Sequence, residues 1–144
     1  MAKTITSANA IIVLSVAGLD VPTAQLQGFS TDDIYTTEDL QRVEALMGVD
    51  GFLSAGKVNN PVIQNFSLMA SSASNDFFDD WNLAEVTIED VYYANAVVTL
   101  TSIGKQYTCT KGALTRFRPL ADAAKVLQPR RYTITWESVI PQNI

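Results

Sequence analysis

The chain has no histidine and a single cysteine, Cys109, among its 144 residues. Without histidine there is no Ser-His-Asp or Cys-His arrangement and no imidazole base of any kind. A Cys/His zinc site is excluded on the same ground. One thiol cannot close a disulfide within the chain, so nothing points to an oxidising compartment. Charge is also scarce, at 17% of residues, where about a quarter is usual. Low charge on a strand-rich chain points to surface that is buried in an assembly. No apolar run is long enough to span a membrane. Ala10–Ala17 behind Lys3 has the look of a secretion signal, but it is short, and the polar stretch Thr4–Asn9 separates it from the lysine. A buried strand is the better reading.

What charge there is sits unevenly. Net charge is −5, and the segment from Asp20 to Asp90 holds thirteen acids against two bases, Arg42 and Lys57. From Lys105 to Arg131 there are seven bases and one acid, Asp122. One reading is two solvated faces. The other is a polar subunit whose acidic surface meets the basic surface of the next copy, which is the electrostatic logic of a head-to-tail contact.

The length fits one domain, 1–144. Its pattern is organised around 61–90, a strand, a small-polar break and an amphipathic helix. Phe66, Leu68 and Ala70 share one side of an extended segment. Ser74 or Asn75 offers a helix cap, and Asp76, Asp79 and Asp80 suit the positive end of the helix dipole. Phe77, Phe78, Trp81 and Ala84 recur at spacings of three and four, predicting a helix over about 74–87 whose aromatics anchor it to a sheet. Asn9–Ala17 is apolar on both faces, as a strand covered on both sides would be. Ala24–Ser30 reads as a return strand with a bulge at Gly28. Thr31–Leu40 is an acidic loop, with Thr37 placed to start a helical turn. Val43–Val49 combines strand alternation with good helix formers, and strand is assigned.

Asp50-Gly51 is a turn signal. A long hairpin reverses within 50–60, with Val62–Ala70 as its return limb, and it projects as an arm that must pair with a neighbour or be covered. Further strands are predicted over Val91–Thr101, Gln106–Arg118 and Arg130–Ile140. The second carries a bulge at Lys111-Gly112, with Tyr107, Cys109, Ala113 and Phe117 on one face. In the third, Tyr132, Ile134, Trp136 and Ile140 share a face. Leu120–Leu127 is a loop or one short helix. The expectation is a mainly β, α+β fold: an antiparallel β-sandwich or barrel of about seven or eight strands with one flanking helix.

No catalytic constellation is present. Asp79 and Asp80 diverge by about 100° around a helix and do not converge on one point. Asp50-Gly51 lacks the repeated oxygens of a calcium loop, and no glycine-rich phosphate loop occurs. Lys105, Lys111, Arg116, Arg118, Arg130 and Arg131, interleaved with Tyr107, Phe117 and Tyr132, have the pattern of a nucleic-acid face. A sequence pI of about 4.5 argues against that use. Cys109 lies on an apolar strand face and reads as a small core residue. By elimination the chain is a structural or interaction module with no catalytic, cofactor or metal site.

Four stretches carry a family resemblance: Met1–Gly18, Met47–Gly51, Ser72–Asp80 (SASNDFFDD) and Leu127–Val139 (LQPRRYTITWESV). Together they resemble the tail tube protein, or inner tube protein, of contractile-tailed bacteriophages, related to pyocin and type VI secretion tube proteins. The resemblance implies a tube-forming barrel and a homo-oligomer of hexameric rings stacked head-to-tail into a hollow tube. Sheath, tape measure, baseplate and tail terminator proteins are the implied partners. DNA crosses the lumen without specific binding. The implied location is the virion tail, after assembly in the host cytoplasm. On this basis Asp32, Asp33, Glu38, Asp39, Glu44 and Asp50 are candidate lumen or ring-interface acids, since a like-charged wall repels DNA. Lys105, Lys111, Arg116, Arg118, Arg130 and Arg131 are the candidate complementary basic face. Phe52, Leu53, Lys57 and Val58 belong to the candidate intersubunit arm, and Phe77, Phe78 and Trp81 to the helix–barrel core. The alternatives are a tail terminator or baseplate ring, or a small monomeric barrel that binds a ligand or single-stranded nucleic acid.

Overall fold

The computed structural model describes residues 10–19, 22–29 and 34–144. The elements run β1 (Ala10–Val16), β2 (Thr23–Gln25), β3 (Tyr35–Thr37), β4 (Val43–Met47), β5 (Leu53–Lys57), β6 (Val62–Leu68), α1 (Ser74–Ile88), β7 (Ala94–Leu100), β8 (Lys105–Phe117) and β9 (Arg130–Asn143). Seven strands form one antiparallel sheet in the order β2-β1-β7-β8-β9-β6-β3, while β4 and β5 pair only with each other. The expected mainly β fold with one flanking helix is what forms. The edges of the large sheet are joined at one end by the segment after β2. Leu26 N donates to Ile12 O and Met69 N to Gly28 O, both at 2.8 Å. Phe29 bridges Leu68. The sheet is thereby rolled toward a barrel, with side chains alternating between inside and outside.

Alternation supplies the core. Ile12, Leu14 and Val16 of β1, Phe66 and Leu68 of β6, and Tyr132, Ile134 and Trp136 of β9 are fully buried. Burial of each large side chain contributes about 1.5–3 kcal/mol. The second apolar face of β1 is not covered: Ile11 lies on the outside, 37% exposed.

Helix α1 packs its aromatics into the same core. Phe78 stacks on Tyr132 with ring centroids 4.0 Å apart, and Trp81 Nε1 donates to Tyr92 O at 3.3 Å. The polar corner before α1 works differently from the expected cap. The N-cap position is Ala73, which makes no side-chain cap bond. Ser74 Oγ instead accepts from Gln27 N at 2.8 Å. The Ser72 hydroxyl donates to Gln27 O, and Asn75 receives the Tyr132 hydroxyl at 2.8 Å. The polar residues tie the corner to the segment after β2 and to β9, because that end of the barrel holds backbone groups that need partners.

Several sequence expectations shift. The return strand after β1 is only Thr23–Gln25, because Gly28 turns the chain with φ +69 and passes against Ser72. Thr37 ends strand β3 and starts no helical turn. Val62–Leu68 is not the hairpin's return limb: it pairs with β9 and β3 inside the large sheet. The return limb is β5, and the reversal falls at Gly48–Phe52. Lys111 adopts φ +48, and the β7–β8 register shifts beside it. Gly112 then takes the inward position expected for Ala113, directly opposite Trp136. Ile140 leaves the β9 core face, and Val139 packs inward in its place. Residues 120–127 form a loop closed by an Ala123–Leu127 bridge.

Candidate assembly surfaces

The hairpin β4–β5 stands off the barrel. All residues from Thr36 to Lys57 are exposed. Its root is closed by Val58 N donating to Arg42 O at 3.0 Å, and its turn by Gly48 N donating to Phe52 O at 2.8 Å. The pairs Val43–Lys57, Ala45–Ala55 and Met47–Leu53 lie opposite one another. Side chains two apart on a strand share a face, so these pairs form one apolar stripe with Lys57 at its root. Glu44 and Leu46 point the other way. Met47 and Leu53 are about two-thirds exposed, and Phe52 at the turn is 75% exposed. An isolated two-stranded hairpin is marginally stable in water, so a stripe of this kind gains most when another surface covers it.

Among the described residues the candidate acids do not converge on one point. Glu38 and Asp39 follow β3, Glu44 lies on β4, and Asp50 sits at the hairpin turn. Asp50 Oδ1 accepts from Phe52 N at 3.3 Å. Asp32 and Asp33 lie outside the described residues.

The candidate bases do not form one face. Arg130 is removed from the surface altogether, at 7% exposed. It donates to both carboxylate oxygens of Asp79 and to Arg118 O. The bond to Asp79 raises its pKa above the usual guanidinium value, against the opposing effect of burial. Lys105 begins β8 opposite Asn143, at the other end of the strand from Arg116. Lys111 pairs with Glu137 at 3.7 Å, both side chains exposed, a contact worth little in water. Arg116, Arg118 and Arg131 do come together, around a groove of about 510 Å³ that includes Phe117 and Pro119. Arg118 is paired with Asp122 at 3.1 Å.

The aromatics that would stack nucleic-acid bases are occupied. Tyr132 is fully buried, and Tyr107 and Phe117 pack against the core. At the barrel end away from α1 a cavity of about 220 Å³ is lined by residues including Tyr35, Val62, Leu100, Tyr107 and Cys109. Burial pushes the Cys109 thiol up to about 11, and burial likewise raises Tyr35. A thiol held neutral there is a packing group and a poor nucleophile. Among the described residues no three His, Cys, Asp or Glu side chains are grouped to hold a metal, and no helix is long and apolar enough to cross a membrane.

Sequence reasoning missed the Arg130–Asp79 pair. Its one signal was a double arginine at the start of an otherwise alternating strand, where Arg130 falls in the inward phase of Tyr132, Ile134 and Trp136.

The same fold recurs in solved structures. A chain of the anti-feeding prophage baseplate matches with a TM-score of 0.59 at 16% identity, over 99% of this chain and 98% of that one. A chain of the anti-feeding prophage tube terminating cap matches at 0.62 and 10% identity, over 100% and 94%. A chain of an extracellular contractile injection system sheath–tube complex matches at 0.57 and 13% identity, over 92% and 88%. The fold is thus one used by components of contractile injection systems. A search by sequence among curated proteins gave no match. The family model described as tail fiber protein gp32 matches residues 3–140, and the chain belongs to that family, which makes it a tail-related structural protein.

Proposed function

We propose that the chain is a self-assembling structural protein of a contractile-type tail, forming six-membered rings that stack head-to-tail into a hollow inner tube through which the genome leaves. The observation that carries this reading is the free-standing hairpin Val43–Lys57, whose apolar stripe has no cover among the described residues. The flanking strands β2 and β3 add to it: beyond the Phe29–Leu68 bridge, each pairs on one side only among the described residues, and an unpaired edge invites another strand. The matched sheath–tube chain has the same fold. In this reading the sheath, tape measure, baseplate and terminator proteins are partners, and DNA crosses the lumen without specific contacts. The exposed acids Glu38, Asp39, Glu44 and Asp50 serve the lumen wall or the ring interfaces. The protein acts without catalysis, in the tail of the virion, after assembly in the host cytoplasm.

A second reading is a closing ring at one end of the tail. It is favoured by the matches to a tube terminating cap and a baseplate chain, and it is equally compatible with the tail fiber description of the family. Negative-stain microscopy of the purified protein separates the two. Long hollow tubes support the first, and isolated rings that never elongate support the second.

A further inference from the structure

We propose that the hairpin turn of one copy, Asp50 flanked by Val49 and Phe52, docks in the Arg116/Arg131 groove of the next copy. This rests on the self-assembly reading above and names the two surfaces that meet. Three observations carry it.

The first is charge. Arg116 and Arg131 have no ion-pair or hydrogen-bond partner among the described residues, although Arg118 beside them is paired with Asp122. Two free guanidiniums in one groove attract a carboxylate. Asp50 is an exposed carboxylate at the far end of a projecting hairpin.

The second is the mixed character of both surfaces. The groove places Phe117 and Pro119 next to its arginines. The turn places a fully exposed Val49 and a 75% exposed Phe52 next to its acid. Apolar contacts beside the pair exclude water and strengthen it, which an isolated surface pair lacks.

The third is position. The hairpin leaves the barrel just before Val62, the first residue of β6. Arg131 pairs with Ser67 near the other end of β6, and Phe117 lies opposite Tyr132 in the same region. At 3.3 Å per residue the root and Arg131 are roughly 15 Å apart along the strand. The turn and the groove are thus two different surfaces of one subunit, and contact between different surfaces of identical copies is heterologous and repeats without closing on a two-fold axis. A polar stack of rings needs such a contact.

The test is a charge exchange in the full chain. Asp50→Arg and Arg131→Asp are made singly and together, and the critical concentration for assembly is measured by sedimentation. Both positions are exposed, and an unchanged melting temperature confirms that each variant folds. Each single variant is expected to raise the critical concentration at least tenfold, and the combined variant to return it to within about threefold of the wild type. Singles that assemble like the wild type, or a combined variant no better than the singles, overturn the proposal while leaving self-assembly intact. A wild type that stays monomeric at every concentration overturns both. Binding of a single-stranded DNA oligonucleotide by the wild-type monomer, lost in Arg131→Asp, overturns the proposal by assigning the groove to nucleic acid.

Discussion

Arg130 grips Asp79 with two hydrogen bonds, at 2.8 and 3.2 Å, while its guanidinium lies over the rings of Tyr132 and Phe117 at 5.3 and 5.5 Å. One end of this contact belongs to strand β9 and the other to helix α1. It therefore fixes the helix against the barrel at the place where Phe78 stacks on Tyr132.

Asp79→Ala is expected to destabilise the monomer by about 2 kcal/mol. Breaking a buried pair costs about 3–5 kcal/mol, reduced here because the Asp79 side chain is 45% exposed. Asp79→Ala combined with Arg130→Met is expected to lose less than the two single losses added together, because no guanidinium is left stranded. Urea denaturation of the four proteins in the cycle measures the coupling, and strict additivity contradicts it.

Gly112→Ala is expected to cost about 3 kcal/mol. A Cβ there meets the indole of Trp136 and the Ile134 side chain, and neither has room to retreat in a packed core. Gly56→Ala on the open hairpin, where a Cβ meets nothing within 4 Å, serves as the control and is expected to change stability by under about 0.5 kcal/mol. Thermal denaturation compares them.

These two sites also show what the sequence makes legible. Phe77, Phe78 and Trp81 recur at helical spacing, and Tyr132, Ile134 and Trp136 alternate. Periodicity alone places both sets in the core, where the structure has them. Gly112 escaped because a left-handed Lys111 resets the alternation, and nothing in the residue types reveals which of two neighbours turns inward. Arg130 escapes because phase alone does not say whether a charged residue finds a buried partner, and its partner Asp79 lies on a helix 51 residues away in the chain. The sequence pattern puts the hairpin too late because Val62–Leu68 has the same alternation whether it pairs with β4 or with β9. Pairing is a tertiary choice that local pattern does not encode. The groove at Arg116 and Arg131 likewise depends on a tertiary pairing, that of β8 with β9.

Cys109 gives a pH signature. Burial raises its pKa from 9.0 to about 11, so the folded state holds the thiol neutral while the unfolded state ionises first. The associated stability is complete below pH 9 and is lost as pH rises toward 11, a change on the order of 2 kcal/mol. The difference in stability between wild type and Cys109→Ala, followed by urea denaturation, is expected to shrink across that window and stay flat between pH 6 and 8. A maleimide at pH 7.5 is expected to label the native protein at least a hundredfold more slowly than the unfolded chain, as mass spectrometry can read.

Met47→Ser with Leu53→Ser interrupts the hairpin stripe. Both side chains are exposed in the monomer, so monomer stability is expected to move by under about 0.5 kcal/mol. Assembly is expected to fail at concentrations where the wild type polymerises. Light scattering beside a melting curve reads both, and unchanged scattering removes the hairpin from the assembly interface.

The most direct test of the tube assignment is electron microscopy of the purified wild-type protein over a range of concentrations, with averaging of end-on views. The account predicts hollow tubes that lengthen with concentration and show six subunits around an open lumen. Rings that never stack, solid fibres without a lumen, or a protein that remains monomeric throughout would contradict it.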